Sequence, residues 1–396
     1  MIKKKIIPYS RQYISKHEIN SVTEVLKSDF LTQGPKVPLF EKLVSKFVGS
    51  KYSAAINSAT SGLHLACMAI GLKKGDWLWT STNSFVASAN CGLYCGANVD
   101  LIDIDIESHN ISIPKLKDKL IKAKKAKKLP KVLIPVHFAG RPCEMKEIYK
   151  LSKKYNFKII EDASHALGSK IYGEMVGNCK YSDMCVFSFH PVKNITTGEG
   201  GIVSTNSKFY IEKVKILRTH GINKDKKYFI NKIRKKDSWH YEQVSLGFNY
   251  RMNDIEAAIG ISQLEKLNNF LKIRNKIAKN YNDELKNLPL ILPLSDNKIL
   301  NAYHLYVIRV NKNETSKNRE ELFRYMRKKN LHVNVHYIPI HHHPYYVKKG
   351  FKKSNFPVAE NYFETCISIP IYPGLKKKDF RKVVKTIKIF FNFNEK

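Results

Sequence analysis

Between residues 52 and 189, short apolar runs alternate with helical stretches, and that alternation leaves few folds open. The runs are Tyr52–Ile56, Trp77–Trp79, Val99–Ile104, Lys131–Val136, Phe157–Ile160 and Met184–Phe189. Each is too short for a helix, and most are rich in Val and Ile, as strands buried on both faces are. Gly62–Ile70, the stretch opening STNSFVASAN, and Glu144–Tyr155 fall between them with helical character. Strand, helix and strand at this interval predict an α/β fold with a mostly parallel sheet covered on both faces. Ligands of such sheets bind beyond the carboxyl ends of the strands. Polar residues at those ends are therefore where chemistry is expected.

Two amphipathic helices come earlier, Lys16–Lys27 and Val37–Val48, the second stopped at Gly49. After Met252 a helical pattern runs to about Leu288, long enough to leave one domain and enter another. Ala302–Val310, His332–Val335 and Cys366–Ile369 read as strands of a smaller unit. The expected organisation is a large domain over residues 1–255, N-terminal segment included, and a smaller C-terminal α/β domain over 256–396. At 396 residues and 43% hydrophobic, the chain can fill both cores. No apolar run approaches the ~20 residues that cross a bilayer. The basic start MIKKKIIPYS offers only two isoleucines before Pro8, so no signal peptide is expected there. Cys67, Cys91, Cys95, Cys143, Cys179, Cys185 and Cys366 are scattered with no CxxC, as expected of reduced thiols in a cytoplasmic enzyme.

The net charge of +35 raises the question of a nucleic-acid or anionic-membrane partner. The lysines are spread almost evenly, with crowds at Lys122–Lys131 and Lys224–Lys236, and no base-reading module accompanies them. They read as solvated helix faces, so neither nucleic acid nor membrane is expected as a partner.

Lys193 stands four residues beyond the run Met184–Phe189, just before the glycine-rich TTGEGG. A lysine at the shielded mouth of a buried strand is a candidate Schiff-base amine, nucleophilic near neutrality. Phe157–Ile160 ends directly in Glu161–Asp162, and Asn57–Ser61 is a small polar turn at a helix start, where Thr60 and Ser61 can bind phosphate. No GxGxxG or GxxxxGK stands at a strand-to-helix turn, so dinucleotide and P-loop readings lack their anchor. Pyridoxal 5′-phosphate needs an amine, a carboxylate for the pyridine nitrogen, a phosphate cup and a face to stack on. Lys193, Asp162, the set Thr60, Ser61 and Ser188, and Phe85 can supply these in turn. Each also has a structural reading: Asp162 as a helix cap, Phe85 as core, Ser188 as a hydroxyl bonded to backbone.

The pieces INSATSGLHLA, STNSFVASAN, PVHFAG, IIEDASHALGSKIYGEMVG, FSFHPVKNITTGEGG and LGFNYRMNDIEAAIG extend this pattern over nearly the whole chain. On them the chain resembles the DegT/DnrJ/EryC1/StrS family of sugar aminotransferases. The resemblance implies the aspartate aminotransferase-like fold type I, with a seven-stranded large-domain sheet, and a homodimer with shared active sites. It makes Lys193 and Asp162 the catalytic pair, and puts His165 near the cofactor's ring hydroxyl. Thr60, Ser61 and Ser188 become phosphate ligands, Phe85 the residue on the ring face, and Asn249 a phosphate contact given by the neighbouring subunit. PYSRQ, SDFLTQGP, NCGLYCGA and VNVHYIPIHHHPYY resemble enzymes that aminate C4 of a UDP-linked 4-keto-6-deoxy-N-acetylhexosamine, with L-glutamate as donor. Tyr9 and Tyr337 would then touch the nucleotide sugar. Other readings are an aminotransferase for another nucleotide 4-keto sugar, of perosamine or bacillosamine type, and a non-catalytic cofactor-binding regulator. No metal site is expected of His341–His343 with His336: adjacent histidines, read as a strand, would alternate sides and lie at the surface or in a substrate loop.

Overall fold

The computed structural model describes residues 5–231 and 237–392, which leaves part of the Lys224–Lys236 crowd outside the described residues. Its centre is a seven-stranded sheet. In chain order the strands are β1 (Tyr52–Ile56), β2 (Trp77–Ser81), β3 (Asn98–Ile102), β4 (Val132–Ile134), β5 (Lys158–Asp162), β6 (Met184–Ser188) and β7 (Gly201–Thr205). Across the sheet the order is β1-β7-β6-β5-β4-β2-β3. All pairs are parallel except those of β7, which runs antiparallel to both β1 and β6. The expected α/β architecture holds, and β7 is the strand that apolar runs did not reveal.

Strand alternation separates two cores. Along β6, Met184 and Val186 pack in one apolar cluster with Leu63, Leu65 and Ala66, and Cys185 and Phe187 pack in another with Phe40, Val44 and Leu267. The first cluster takes its helical share from α3 (Ala59–Ile70), preceded in the chain by α1 (Lys16–Leu26) and α2 (Lys36–Val48). Further along come α4 (Ala87–Tyr94), α5 (Ile113–Lys125), α6 (Met145–Tyr155) and α7 (Lys208–Leu217). Lys122, Lys124 and Lys125 are exposed on the last turn of α5, where cations complement the helix dipole.

Helix α8 (Asp254–Leu285) starts in a capping box: Asn253 accepts from the Glu256 amide, and Glu256 accepts from the Asn253 amide. It leads to an antiparallel sheet of β8 (Leu290–Ile291), β9 (Tyr306–Val310) and β10 (Cys366–Ile369). These strands share a core with Ile277, Tyr281, Leu322 and Val383. The short strand Ile7–Pro8 runs parallel to Leu331–His332, and Ile7 is buried in that same core. All seven cysteines are free thiols. No helix among the described residues is long and apolar enough to cross a membrane.

Candidate active site

The parallel register of β5 and β6 pairs Asp162 with Val186, which brings the ends of both strands to one level. A cavity of about 410 Å³ opens there, lined by Tyr9, Ser58, Thr60, Phe85, Asp162, Ser164, His165, Ser188, Lys193, His304, His336 and Tyr337 among others. Eight of the ten residues singled out in the sequence meet in it. Ser61 and Asn249 do not line it. Ser61 is buried, with its amide and hydroxyl both bonded to the Ser58 hydroxyl at 3.1 and 2.9 Å. Asn249 is exposed and bridges to Thr219.

Asp162 sits on the cavity floor, 5% exposed, and is not a helix cap. Ser88 of α4 donates to its Oδ2 at 2.6 Å, and the Ser164 hydroxyl and amide donate to Oδ1 at 2.6 and 3.1 Å. Three donors fix an acceptor-only carboxylate in one orientation.

Lys193 lies in a loop closed at its base. Phe189 donates its amide to Gly200, and Thr197 donates its amide back to Phe189. Its Nζ makes no hydrogen bond or ion pair among the described residues. Burial pushes the ammonium down to about 8, with the Asp162 charge pulling the other way. That is the free amine expected of a covalent attachment point.

Helix α3 points its N-terminus into the cavity, with Ser58 as N-cap. A Cβ on Gly201 would stand 2.6 Å from the Ala59 amide nitrogen, so only glycine lets β7 pass this close to the helix start. Thr60, Ser188 and the first-turn amides are suited to hold a phosphate dianion. Ser58 is a residue that sequence reasoning passed over, although its place before α3 marks it as the cap.

Ring faces close the site. Phe85 is 57% exposed at the mouth, not in the core, with its ring centre 6.1 Å from that of Tyr337. His165 and Tyr337 lie stacked at 20°. His165, His304 and His336 are all held neutral, by burial first and then by nearby charges that include the Lys193 ammonium. His304 is absent from the sequence reading, because a lone histidine in a strand-flanking segment carries no local signal, and His336 figures there only beside the histidine run. The free amine, braced carboxylate, helix terminus and ring faces together fit pyridoxal phosphate.

The histidine run corrects an expectation. Ile340–His342 is a turn of 3-10 helix, not a strand, and His341 is buried rather than at the surface.

Comparison with known proteins agrees with this geometry. The DegT/DnrJ/EryC1/StrS aminotransferase family profile matches residues 12–388. The UDP-4-amino-4,6-dideoxy-N-acetyl-beta-L-altrosamine transaminase of Campylobacter jejuni (serotype O:23/36) is 38% identical over 384 residues, 96% of each chain. The spore coat polysaccharide biosynthesis protein SpsC of Bacillus subtilis is 36% identical over 385 residues, also 96% of each. Helicobacter pylori PseC, an aminotransferase of pseudaminic acid biosynthesis, superposes with a TM-score of 0.87 at 31% identity, covering 98% of this chain and all of that one. The chain thus belongs to the DegT/DnrJ/EryC1/StrS aminotransferase family, pyridoxal-phosphate enzymes that aminate nucleotide-linked sugars.

Proposed function

We propose that this aminotransferase moves the amino group of L-glutamate to C4 of UDP-2-acetamido-2,6-dideoxy-β-L-arabino-hexos-4-ulose. The product is UDP-4-amino-4,6-dideoxy-N-acetyl-β-L-altrosamine, a precursor of pseudaminic acid. The observation that carries the reaction class is the unpartnered Lys193 amine sharing a cavity with the braced Asp162 carboxylate. The choice of sugar rests on the 38% identity to the altrosamine transaminase.

Pyridoxal phosphate, when bound, supplies an electron sink for the carbon that loses its proton. Lys193 would be its attachment amine and Asp162 the anion beside the pyridine nitrogen. Thr60, Ser188 and the α3 N-terminus would hold the phosphate, with Phe85 on one ring face and His165 at the ring's edge. Nζ of Lys193 takes a proton from Cα of glutamate and later delivers one to C4 of the sugar. An amine at about 8 is suited to both transfers. Tyr9 and Tyr337 face the same cavity and would contact the nucleotide sugar. The enzyme would work in the cytoplasm as a homodimer, each Asn249 reaching the neighbouring copy's phosphate. Residues 1–255 and 256–396 would be its two domains.

The near-equal identity to SpsC supports a second reading, another nucleotide 4-keto sugar. One titration separates the possibilities. Purified protein with pyridoxal phosphate should absorb near the visible edge; L-glutamate should bleach that band, and the UDP-keto sugar should restore it. A band that glutamate bleaches but this sugar leaves bleached would retire the altrosamine assignment and keep the class. A band indifferent to glutamate would retire the amino donor as well.

A further inference from the structure

The turn Ile340–His342 points two imidazoles at one carboxylate. Nε2 of His341 and Nε2 of His342 both lie 2.5 Å from Oε1 of Glu360, in the helix Pro357–Thr365. The ligating atoms of the three side chains fall within 4.8 Å of one another. On its other nitrogen, Nδ1, His341 meets the Thr82 hydroxyl at 2.5 Å. The His341 side chain is fully buried, and those of His342 and Glu360 are 11% and 20% exposed. None of these residues lines the cofactor cavity.

We propose that His341, His342 and Glu360 form a binding site for one divalent ion of the zinc class, which ties the turn to the helix Pro357–Thr365. Two imidazole nitrogens and one carboxylate oxygen are the donor set of zinc, not of magnesium or calcium, which take oxygen ligands. Metal–ligand bonds of about 2.0–2.2 Å in a tetrahedron separate ligand atoms by about 3.3 Å, so the ion enters as the 2.5 Å contacts to Glu360 widen and the widest pair, now within 4.8 Å, draws closer. The fourth position falls to water on the side where His342 and Glu360 are exposed. Thr82 is the outer partner that fixes the His341 ring, accepting its Nδ1 proton so that Nε2 is free for metal.

The ion's role follows from its neighbours. Ile340 donates its amide to the Thr82 carbonyl at 2.9 Å, and Tyr337 donates its amide to Asn83 Oδ1 at 3.3 Å. A metal at Glu360 would therefore brace against the helix Pro357–Thr365 the segment that carries Tyr337 and is hydrogen-bonded to the loop after β2. It is a structural clamp behind the site, not a participant in the chemistry.

The test uses the full chain without a polyhistidine tag. Wild type and His342→Ala are stripped with chelator, reloaded with zinc chloride, passed through gel filtration and assayed for bound zinc. Wild type should retain about one zinc per chain and melt at a higher temperature with zinc than without. His342→Ala should bind zinc at least about tenfold more weakly and show no zinc-dependent melting shift. Since His342 is near the surface, circular dichroism should show the variant folded, and Glu360→Gln, which keeps the side chain's shape, should repeat its behaviour. Equal zinc retention by wild type and both variants, or none by wild type, would overturn the proposal. The trio would then be a hydrogen-bonded cluster only.

Discussion

Nε2 of His165 lies 3.0 Å from the hydroxyl of Tyr337 across the cavity, and Nδ1 of the same ring accepts the Ala139 amide at 3.2 Å. Because the ring is neutral and one nitrogen is occupied as an acceptor, the proton sits on Nε2 and is donated to Tyr337. The tyrosine's own proton is thereby turned away from His165 and toward the cavity.

Tyr337→Phe removes that acceptor and strands a buried N–H. The expected cost is about 1–3 kcal/mol of stability. Cofactor should still bind, while KM for the sugar rises more than kcat falls. Melting curves and steady-state kinetics check both; an unchanged KM would detach Tyr337 from sugar binding.

Lys193 is expected to react through its free amine. Cofactor-free protein should capture pyridoxal phosphate faster as pH rises through about 8, and level off above, because the protonated form is not a nucleophile. A rate still climbing toward the usual lysine range would contradict the burial argument. Lys193→Ala should fold normally and lose at least about 10²–10⁴ in kcat.

Asp162→Asn keeps the volume of the side chain and removes its charge. It should fold, bind cofactor and lose about 10²–10⁴ in kcat, the scale of a misplaced proton. Asp162→Ala goes further, leaving the Ser88 and Ser164 hydroxyls without their acceptor at a cost of about 1–3 kcal/mol. Comparing chemical denaturation of the two variants separates the catalytic loss from the structural one.

Glu18 gives a pH-dependent contribution away from the site. It is 1% exposed, and its carboxylate accepts from Ser15 at 2.7 Å and from Ser262 at 2.6 Å, with Lys266 as ion partner. Burial raises its pKa, but these donors outweigh burial and hold the group well below the carboxylate range. A depressed folded pKa stabilises above the unfolded value and is lost as pH falls below it. Glu18→Gln should therefore lower the melting temperature near pH 7 and matter progressively less as pH drops below about 4. An equal deficit at both pH values would mean that shape, not charge, is responsible.

Much of this architecture is legible without coordinates, and for identifiable reasons. Helix α8 announces itself by apolar spacing, and the structure ends it within a few residues of the expected Leu288. Asp162 and Lys193 are legible because parallel sheets put such residues at strand ends. Strand β7 was hidden: it begins at the last glycine of TTGEGG with no helix between it and β6, and its pairing with β1 joins residues far apart in the chain. Ser61 illustrates a local ambiguity, since any of the three hydroxyls of SATS could face the ligand until helix phase decides. His341 and His342 were misjudged because a period of two was assumed where the chain makes a 3-10 turn.

The pairing of Ile7–Pro8 with Leu331–His332 carries a consequence for how the protein is made. Tyr9, on the cavity wall, gives its carbonyl to the Ile371 amide at 3.0 Å, and the Ser10 hydroxyl holds the Val192 carbonyl beside Lys193 at 3.0 Å. During synthesis the segment 7–10 must wait for its partners at Leu331–His332 and Ile371, which are made far later along the chain. At about 5–20 residues per second that wait is roughly 20–70 s. The large sheet can assemble meanwhile, but its cavity stays open on one wall until translation has passed Ile371. A nascent chain that has not reached Ile371 therefore lacks the contact that seats Tyr9 on the cavity wall.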